Sequence, residues 1–304
     1  MTDAWVVILV TSRYWNNYRH ETNGFVVYNL ARRLGVPDDH IIFMDAIDVL
    51  NNPRNPHKGA VHIDSEVHPE GNLVPLDGVE VDYRGEDVTI ETFKHVLLAD
   101  QATSLSPVLG SNEDSDVFIY LAGHGGDGFF KFHDLQELDA NDFGELISRL
   151  HAQHKYRQLL ILLDTCQAAS MAAHLTAPAV TFLASSQVGE NSYALHVNAA
   201  LGVATVDRFS YALHRFLSSL PATASTNKKI ARTSLKALLQ QLSPSLLYST
   251  PYLLQNPTAH PPEHLDLLAF LGGGARNSHN LHVNLHTQDK HGVLNILRQI
   301  SGVD

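Results

Sequence analysis

A single cysteine, Cys166, stands in a chain of 304 residues, beside three methionines and two tryptophans. One thiol cannot close an internal disulfide, and it argues against a zinc site built on paired thiolates. No apolar run approaches the roughly 20 residues that a membrane-spanning helix needs. Basic residues are scarce, 21 against 32 acidic ones, for a net charge of -11. That balance argues against nucleic acid as a partner, because recognition of its backbone needs a basic patch. No cluster of lysine and arginine offers a lipid-headgroup site. The start, Met1-Thr2-Asp3-Ala4-Trp5, lacks the basic, apolar and small-residue parts of a secretory leader and reads as a mature or trimmed end. The one Asn-x-Thr triplet, Asn256-Pro257-Thr258, carries the proline that forbids glycosylation.

Hydrophobic residues make up 44% and charged residues 17%, enough apolar side chain for a sizeable core. Strand and helix signals alternate, which predicts a mostly parallel sheet covered on both faces. Strands are expected at 5–11, 41–44, 117–122, 159–163 and 180–185. Helices are expected at 21–34, with Gly35 as its cap, and at 89–99, 138–150, 205–217 and 228–242. Phe129-Phe130-Lys131-Phe132 suggests a hairpin strand, and Asn51-Asn52-Pro53-Arg54-Asn55-Pro56 opens a long loop reaching about Asp77. The periodicity fades from about Gly272. Residues 1–272 therefore form the expected domain, and 273–304 a polar, histidine-rich extension expected to be mobile or to lie outside the core.

Two of the apolar runs end in chemistry. Leu159-Leu160-Ile161-Leu162-Leu163-Asp164-Thr165 leads into Cys166, and Val117-Phe118-Ile119-Tyr120-Leu121-Ala122 leads into Gly123-His124-Gly125-Gly126. Reactive groups in open α/β sheets collect at the carboxyl ends of strands, so a thiol and an imidazole there form a candidate nucleophile and base. The alternatives are a small buried hydrophobe at Cys166 and an incidental turn histidine, in a chain with 19 histidines. Gln167-Ala168-Ala169-Ser170-Met171-Ala172-Ala173 is helix-competent, and a helix dipole there would favour the thiolate. Glycines beside His124 let backbone N–H groups approach an oxyanion. Ser12-Arg13-Tyr14-Trp15-Asn16-Asn17-Tyr18-Arg19-His20 follows the first strand and borders the same cleft, as a binding cluster or an aromatic-anchored loop. Glu80-Val81-Asp82 puts two carboxylates on one strand face; with Asp38 or Asp39 it forms either an oxygen cage for Ca²⁺ or a solvated acidic face. His279, His282, His286 and His291 lack zinc-type spacing and read as surface.

These segments occur in an order that resembles a known family. Asn17-Tyr18-Arg19-His20, Asn52-Pro53-Arg54-Asn55, Val81-Asp82-Tyr83-Arg84 and Gly123-His124-Gly125-Gly126 are followed by Asp164-Thr165-Cys166-Gln167-Ala168 and Ala184-Ser185-Ser186-Gln187-Val188-Gly189-Glu190. The set is similar to the catalytic subunits of glycosylphosphatidylinositol (GPI) transamidase, relatives of legumain and more distantly of caspases. The resemblance implies a caspase-like three-layer α/β/α sandwich with a mostly parallel six-stranded sheet. It implies Cys166 as nucleophile, His124 as general base, Asn17 completing the site, and the Gly125 and Cys166 N–H groups as oxyanion hole. Arg19, Asp164, Ser185 and Asp207 would line the pocket for the residue attacked, and Asp38, Glu80 and Asp82 would hold a structural Ca²⁺. No organic cofactor is implied.

The implied substrates are a proprotein C-terminal signal peptide and a GPI lipid, met at the lumenal face of the endoplasmic reticulum with other membrane-bound subunits. Two departures stand out. Asn51 occupies a position where the family commonly has a partner-linking cysteine, and the transmembrane helix of many members is missing from the sequence. A legumain-like asparaginyl endopeptidase and a non-catalytic signal-peptide-binding subunit are the competing expectations.

Overall fold

A computed structural model describes residues 3–63, 73–75, 78–99, 107–195, 197–220 and 233–272. The expected helix at 228–242 is described only in part, and the extension at 273–304 with its four histidines lies outside the described residues.

In chain order the strands are β1 (Asp3–Val10), β2 (Ile41–Asp45), β3 (Ala60–His62), β4 (Leu73–Pro75), β5 (Tyr83–Arg84), β6 (Ser115–Ala122) and β7 (Gly125–Gly126). They continue as β8 (Phe129–Phe132), β9 (Gln136–Asp139), β10 (Gln158–Asp164), β11 (Val180–Ala184), β12 (Val197–Asn198), β13 (Val203–Ala204) and β14 (Tyr252–Gln255). The main helices are α1 (Tyr18–Leu34), α2 (Ile90–Leu98), α3 (Ala140–Ala152) and α4 (Arg208–Ser218). Among the described residues no helix is long and apolar enough to cross a membrane.

The central sheet has seven strands in the order β14-β11-β10-β6-β1-β2-β5, one more than the six expected. All neighbours run parallel except β14, which pairs antiparallel with β11. The five strands expected from the apolar runs all lie in this sheet, and the two added at its edges are short: β5 has two residues and β14 four. The Phe129–Phe132 strand belongs to a three-stranded β7-β8-β9 ribbon.

The middle strands are buried on both faces, as their unbroken apolar runs require. Val6, Ile8 and Val10 of β1, with Tyr120 and Leu162, pack against the apolar faces of α1 and α4. Val7 and Leu9, with Ile119, Leu121 and Ile161, pack against α2 and α3. The product is an α/β/α sandwich. The helices begin and end where their caps dictate. Thr89 Oγ1 accepts from Thr92 N at 3.0 Å ahead of α2, and Asp139 accepts from Asp142 N at 2.8 Å ahead of α3. Gly35 ends α1 in the left-handed region, at φ 110°.

Register decides where the chemistry goes. Val10 pairs with Ala122 and with Asp45, and Ala122 pairs with Asp164. The carboxyl ends of β2, β1, β6 and β10 therefore lie level along one edge of the sheet.

Candidate active site

His124 and Cys166 each sit two residues beyond a paired strand end, Ala122 and Asp164. The equal offset starts both residues from the same level of the sheet edge, and both are half-buried. The chain crossing from β6 stays close to β10, with Gly123 N donating to Asp164 O at 3.4 Å. Close approach explains the glycines. A Cβ on Gly125 would lie 2.7 Å from Thr165 Oγ1 and 2.9 Å from Phe129 O, and one on Gly123 would run into Thr11 Oγ1. Larger residues would push the His124 arm off the Cys166 tip.

Asn17 enters from the turn that precedes α1. Its Nδ2 donates to Arg13 O at 2.5 Å, which leaves Oδ1 facing His124 Nε2 at 2.9 Å. Because Oδ1 is an acceptor, the imidazole proton belongs on Nε2, and Nδ1 is left with the lone pair a base needs. Burial, and then the Arg19 charge, hold the His124 pKa below its ordinary value, so the ring is neutral at pH 7.

Beside these two residues lies a buried polar cluster. Asp164 is buried and accepts from Ser192 Oγ at 2.7 Å and Ser210 Oγ at 2.6 Å. Burial and the neighbouring Asp207 carboxylate raise its pKa to about 6. Asp207 accepts from Arg19 Nε at 3.0 Å and Asn23 Nδ2 at 2.6 Å. Ser185 is fully buried, with its hydroxyl donating to Thr165 O at 3.2 Å. Arg19, Asp164, Ser185 and Asp207 thus belong to one contiguous polar cluster.

Four further groups complete the cluster. His20 is buried, set edge-on to His124 with ring centroids 5.0 Å apart, and hydrogen-bonds Ser12 Oγ at 2.7 Å. Asn23 follows Arg19 by one helical turn, a spacing that puts both on one face, so its place is readable from α1. Ser192 and Ser210 carry no motif. The main-chain oxygen of Ser192 lies 3.9 Å from Cys166 Sγ, which places this residue between the sulfur and Asp164.

Two expectations fail. The stretch after Cys166 is a five-residue 3₁₀ helix, Ala168–Ala172, behind a left-handed Gln167 at φ 52°, so no α-helix dipole aims at the sulfur. Glu80 and Asp82 lie ahead of β5 in irregular chain and not on a strand face. Asp82 accepts from Phe43 N at 2.8 Å, and its pKa is pushed up to about 6 by burial and by the charges of Glu80 and Asp38. Asp38 accepts from Arg32 Nη1 at 2.8 Å and from the Tyr28 hydroxyl. All-oxygen donors suit a hard cation, yet among the described residues no three acidic, histidine or cysteine side chains close into a cation site. Arg32 supplies the positive charge there.

Residues 4–239 match the Peptidase C13 family. The chain belongs to that family. It is similar to the GPI-anchor transamidase of Sus scrofa, with 36% identity over 100% of this chain and 74% of the relative. The Schizosaccharomyces pombe GPI-anchor transamidase is 35% identical over 89% of this chain and 70% of its own. That of Homo sapiens is 37% identical over 89% and 67%. Among solved structures, caspase-1 from Spodoptera frugiperda superposes with a TM-score of 0.47 at 9% identity, covering 85% of this chain and 88% of that one.

Proposed function

We propose that this C13 cysteine peptidase homologue works as a transamidase, cutting a C-terminal signal peptide from a proprotein and passing the new acyl end to the amine of a GPI lipid. One observation carries the reading: a half-exposed thiol and a neutral imidazole share level, paired strand tips in a chain similar to GPI-anchor transamidases.

In this mechanism Cys166 Sγ bonds to the carbonyl carbon of the attachment-site residue while His124 takes the thiol proton. The Gly125 and Cys166 N–H groups receive the oxyanion, and glycine at 125 lets a carbonyl come that near. Collapse breaks the C–N bond, and His124 returns the proton to the departing amine. The ethanolamine amine of the lipid then attacks the thioester, gives its proton to His124, and releases Cys166 as the amide forms. Asn17 holds the imidazole in the tautomer this sequence requires. Arg19, Asp164, Ser185 and Asp207 receive the side chain of the attacked residue, and the Ser192 and Ser210 hydroxyls on Asp164 leave room for a small one. Reaction at the lumenal face of the endoplasmic reticulum, with membrane-bound partner subunits presenting the lipid, belongs to the same proposal.

A structural Ca²⁺ held by Asp38, Glu80 and Asp82 is part of it too. The crowding of carboxylate charge at Asp82 supports it; because the three side chains do not close into a cation site as they stand, binding would have to draw them together.

The test uses Cys166→Ala beside the unaltered protein, with a peptide methyl ester bearing serine at the reacting position and ethanolamine as acceptor. Amide product should form with the thiol and vanish without it. Product from the alanine variant would remove the nucleophile assignment. Rapid hydrolysis of an Asn-containing peptide with no transfer to the amine would instead favour an asparaginyl endopeptidase.

A further inference from the structure

Gln167 follows the nucleophile directly and is the one residue between Cys166 and the 3₁₀ turn. Its φ of 52° lies in the left-handed region, which a side chain with a Cβ adopts only when its surroundings impose it. The surroundings are visible. Gln167 N donates to Glu190 O at 2.8 Å, and Gln167 Oε1 accepts from Gly189 N at 3.0 Å. The same residue thus grips one loop through both its main chain and its side chain.

That loop is itself pinned. Glu190 Oε2 accepts from Gln187 N at 3.0 Å and Thr250 N at 2.7 Å, while Oε1 accepts from Thr250 Oγ1 at 2.9 Å. On its other side the Gln167 carbonyl accepts from Ser170 N at 2.9 Å and lies 2.7 Å from Ser170 Oγ. Ser170 Oγ also accepts from Gly128 N at 2.8 Å and sits 3.2 Å from Gly126 O. Gly126 and Gly128 belong to the ribbon that begins one residue after His124. A continuous hydrogen-bonded path therefore runs from Thr250 through Glu190 and Gln167 to Ser170, and on to the His124 arm.

We propose that Gln167 is a positioning residue for the transfer reaction: clamped between the 187–190 loop and Ser170, it fixes the Cys166 peptide against the His124 arm. The inference rests on the proposed function and adds to it a residue that touches no substrate. The physical case is that Cys166 lacks the helix that would otherwise hold a nucleophile at a strand end. Its orientation must come from the residue that follows, and Gln167 is held at four points. A link from backbone to chemistry of this kind is sensitive, since a displacement of about 1 Å at a reacting centre lowers turnover by about 100-fold.

Left-handed backbone and side-chain grip can be separated. Gln167→Gly accepts φ 52° without strain but loses Oε1; Gln167→Ala loses Oε1 and keeps the strain. Ser170→Ala cuts the path on the other side. Each variant is measured in the peptide-ester transfer assay for kcat and KM, alongside alkylation of Cys166 by iodoacetamide, Tm, and hydrogen exchange at the 166–167 amides.

Both Gln167 variants should lose about 10- to 100-fold in kcat, with KM within about twofold and alkylation near the unaltered rate. Faster exchange at the 166–167 amides should accompany the loss, and Ser170→Ala should show a smaller version of the same pattern. Gln167→Gly with full kcat would overturn the proposal, because the side-chain grip would then be idle. So would losses that track Tm and alkylation together, the mark of a merely structural residue. If the unaltered protein transfers nothing, the functional reading falls by itself. The clamp is then judged by exchange alone, unchanged amide protection in Gln167→Ala counting against it.

Discussion

Replacing Asp164 by asparagine would separate the charge at the centre of the buried polar cluster from its shape. Asp164 is 2% exposed, and burial with the adjacent Asp207 raises its pKa from the ordinary 3.8 to about 6. The gap corresponds to about 3 kcal/mol. The folded protein holds this proton more tightly than the unfolded chain does. The group therefore contributes stability in full below about pH 4 and loses it as pH rises through about 6. An amide in its place has no such dependence. It keeps one oxygen for the Ser192 and Ser210 hydroxyls, which now donate to separate oxygens at 2.7 and 2.6 Å, and the bond forgone costs about 1 kcal/mol at any pH. Asp164→Asn should then be about 1 kcal/mol less stable than the unaltered protein at about pH 4 and about 2 kcal/mol more stable at about pH 7.5. Urea unfolding of both proteins at the two pH values measures the crossing. A stability difference that is the same at both would refute the reasoning, because the carboxyl would then titrate alike folded and unfolded.

Asn17→Ala should lower kcat by about 10- to 100-fold with little change in KM, since the 2.9 Å bond that fixes the His124 ring would be gone; equal kcat would show the ring is held by other contacts. The acid limb of kcat/KM should fall below pH 6.5, because His124 must be neutral and its pKa lies below the ordinary value. Arg19→Gln removes a cation that lowers it and should move that limb to higher pH; an unmoved limb would separate Arg19 from the base. Added CaCl₂ should raise the Tm of the unaltered protein and leave Asp82→Asn where it was, by linkage of binding to folding. Identical melting curves with CaCl₂ and with a chelator would remove the cation from the account.

The strand tips are legible because burial on both faces writes itself as an unbroken apolar run, and the run stops where Asp164 or Gly123 begins. The two cores say the same thing from inside, with Ile119 and Tyr120 turned to opposite sides of the sheet. Periodicity is silent on β5, whose two residues are too few to show a repeat, and on β14, which is half-buried throughout at the sheet's edge. The turn after Cys166 departs from its local pattern for another reason. Its alanines favour a helix, but Ala168 N bonds Ser186 Oγ at 3.1 Å, Ala169 N bonds Ser186 O at 3.0 Å, and Gln167 N bonds Glu190 O. Tertiary hydrogen bonds claim those amides before a helix can use them, which overrides local propensity. The same trade explains the polar cluster around Asp164. Ser192 comes from a loop and Ser210 from α4, so nothing in their sequence neighbourhood points at Asp164; a buried carboxylate requires such donors, and where they come from is settled only by how the chain packs. Sequence thus announces the candidate nucleophile and base, since they cap the strongest local signals. It stays quiet about the groups that tune and hold them, and Gln167, sitting one residue from the sulfur in a conformation its own type disfavours, marks that boundary.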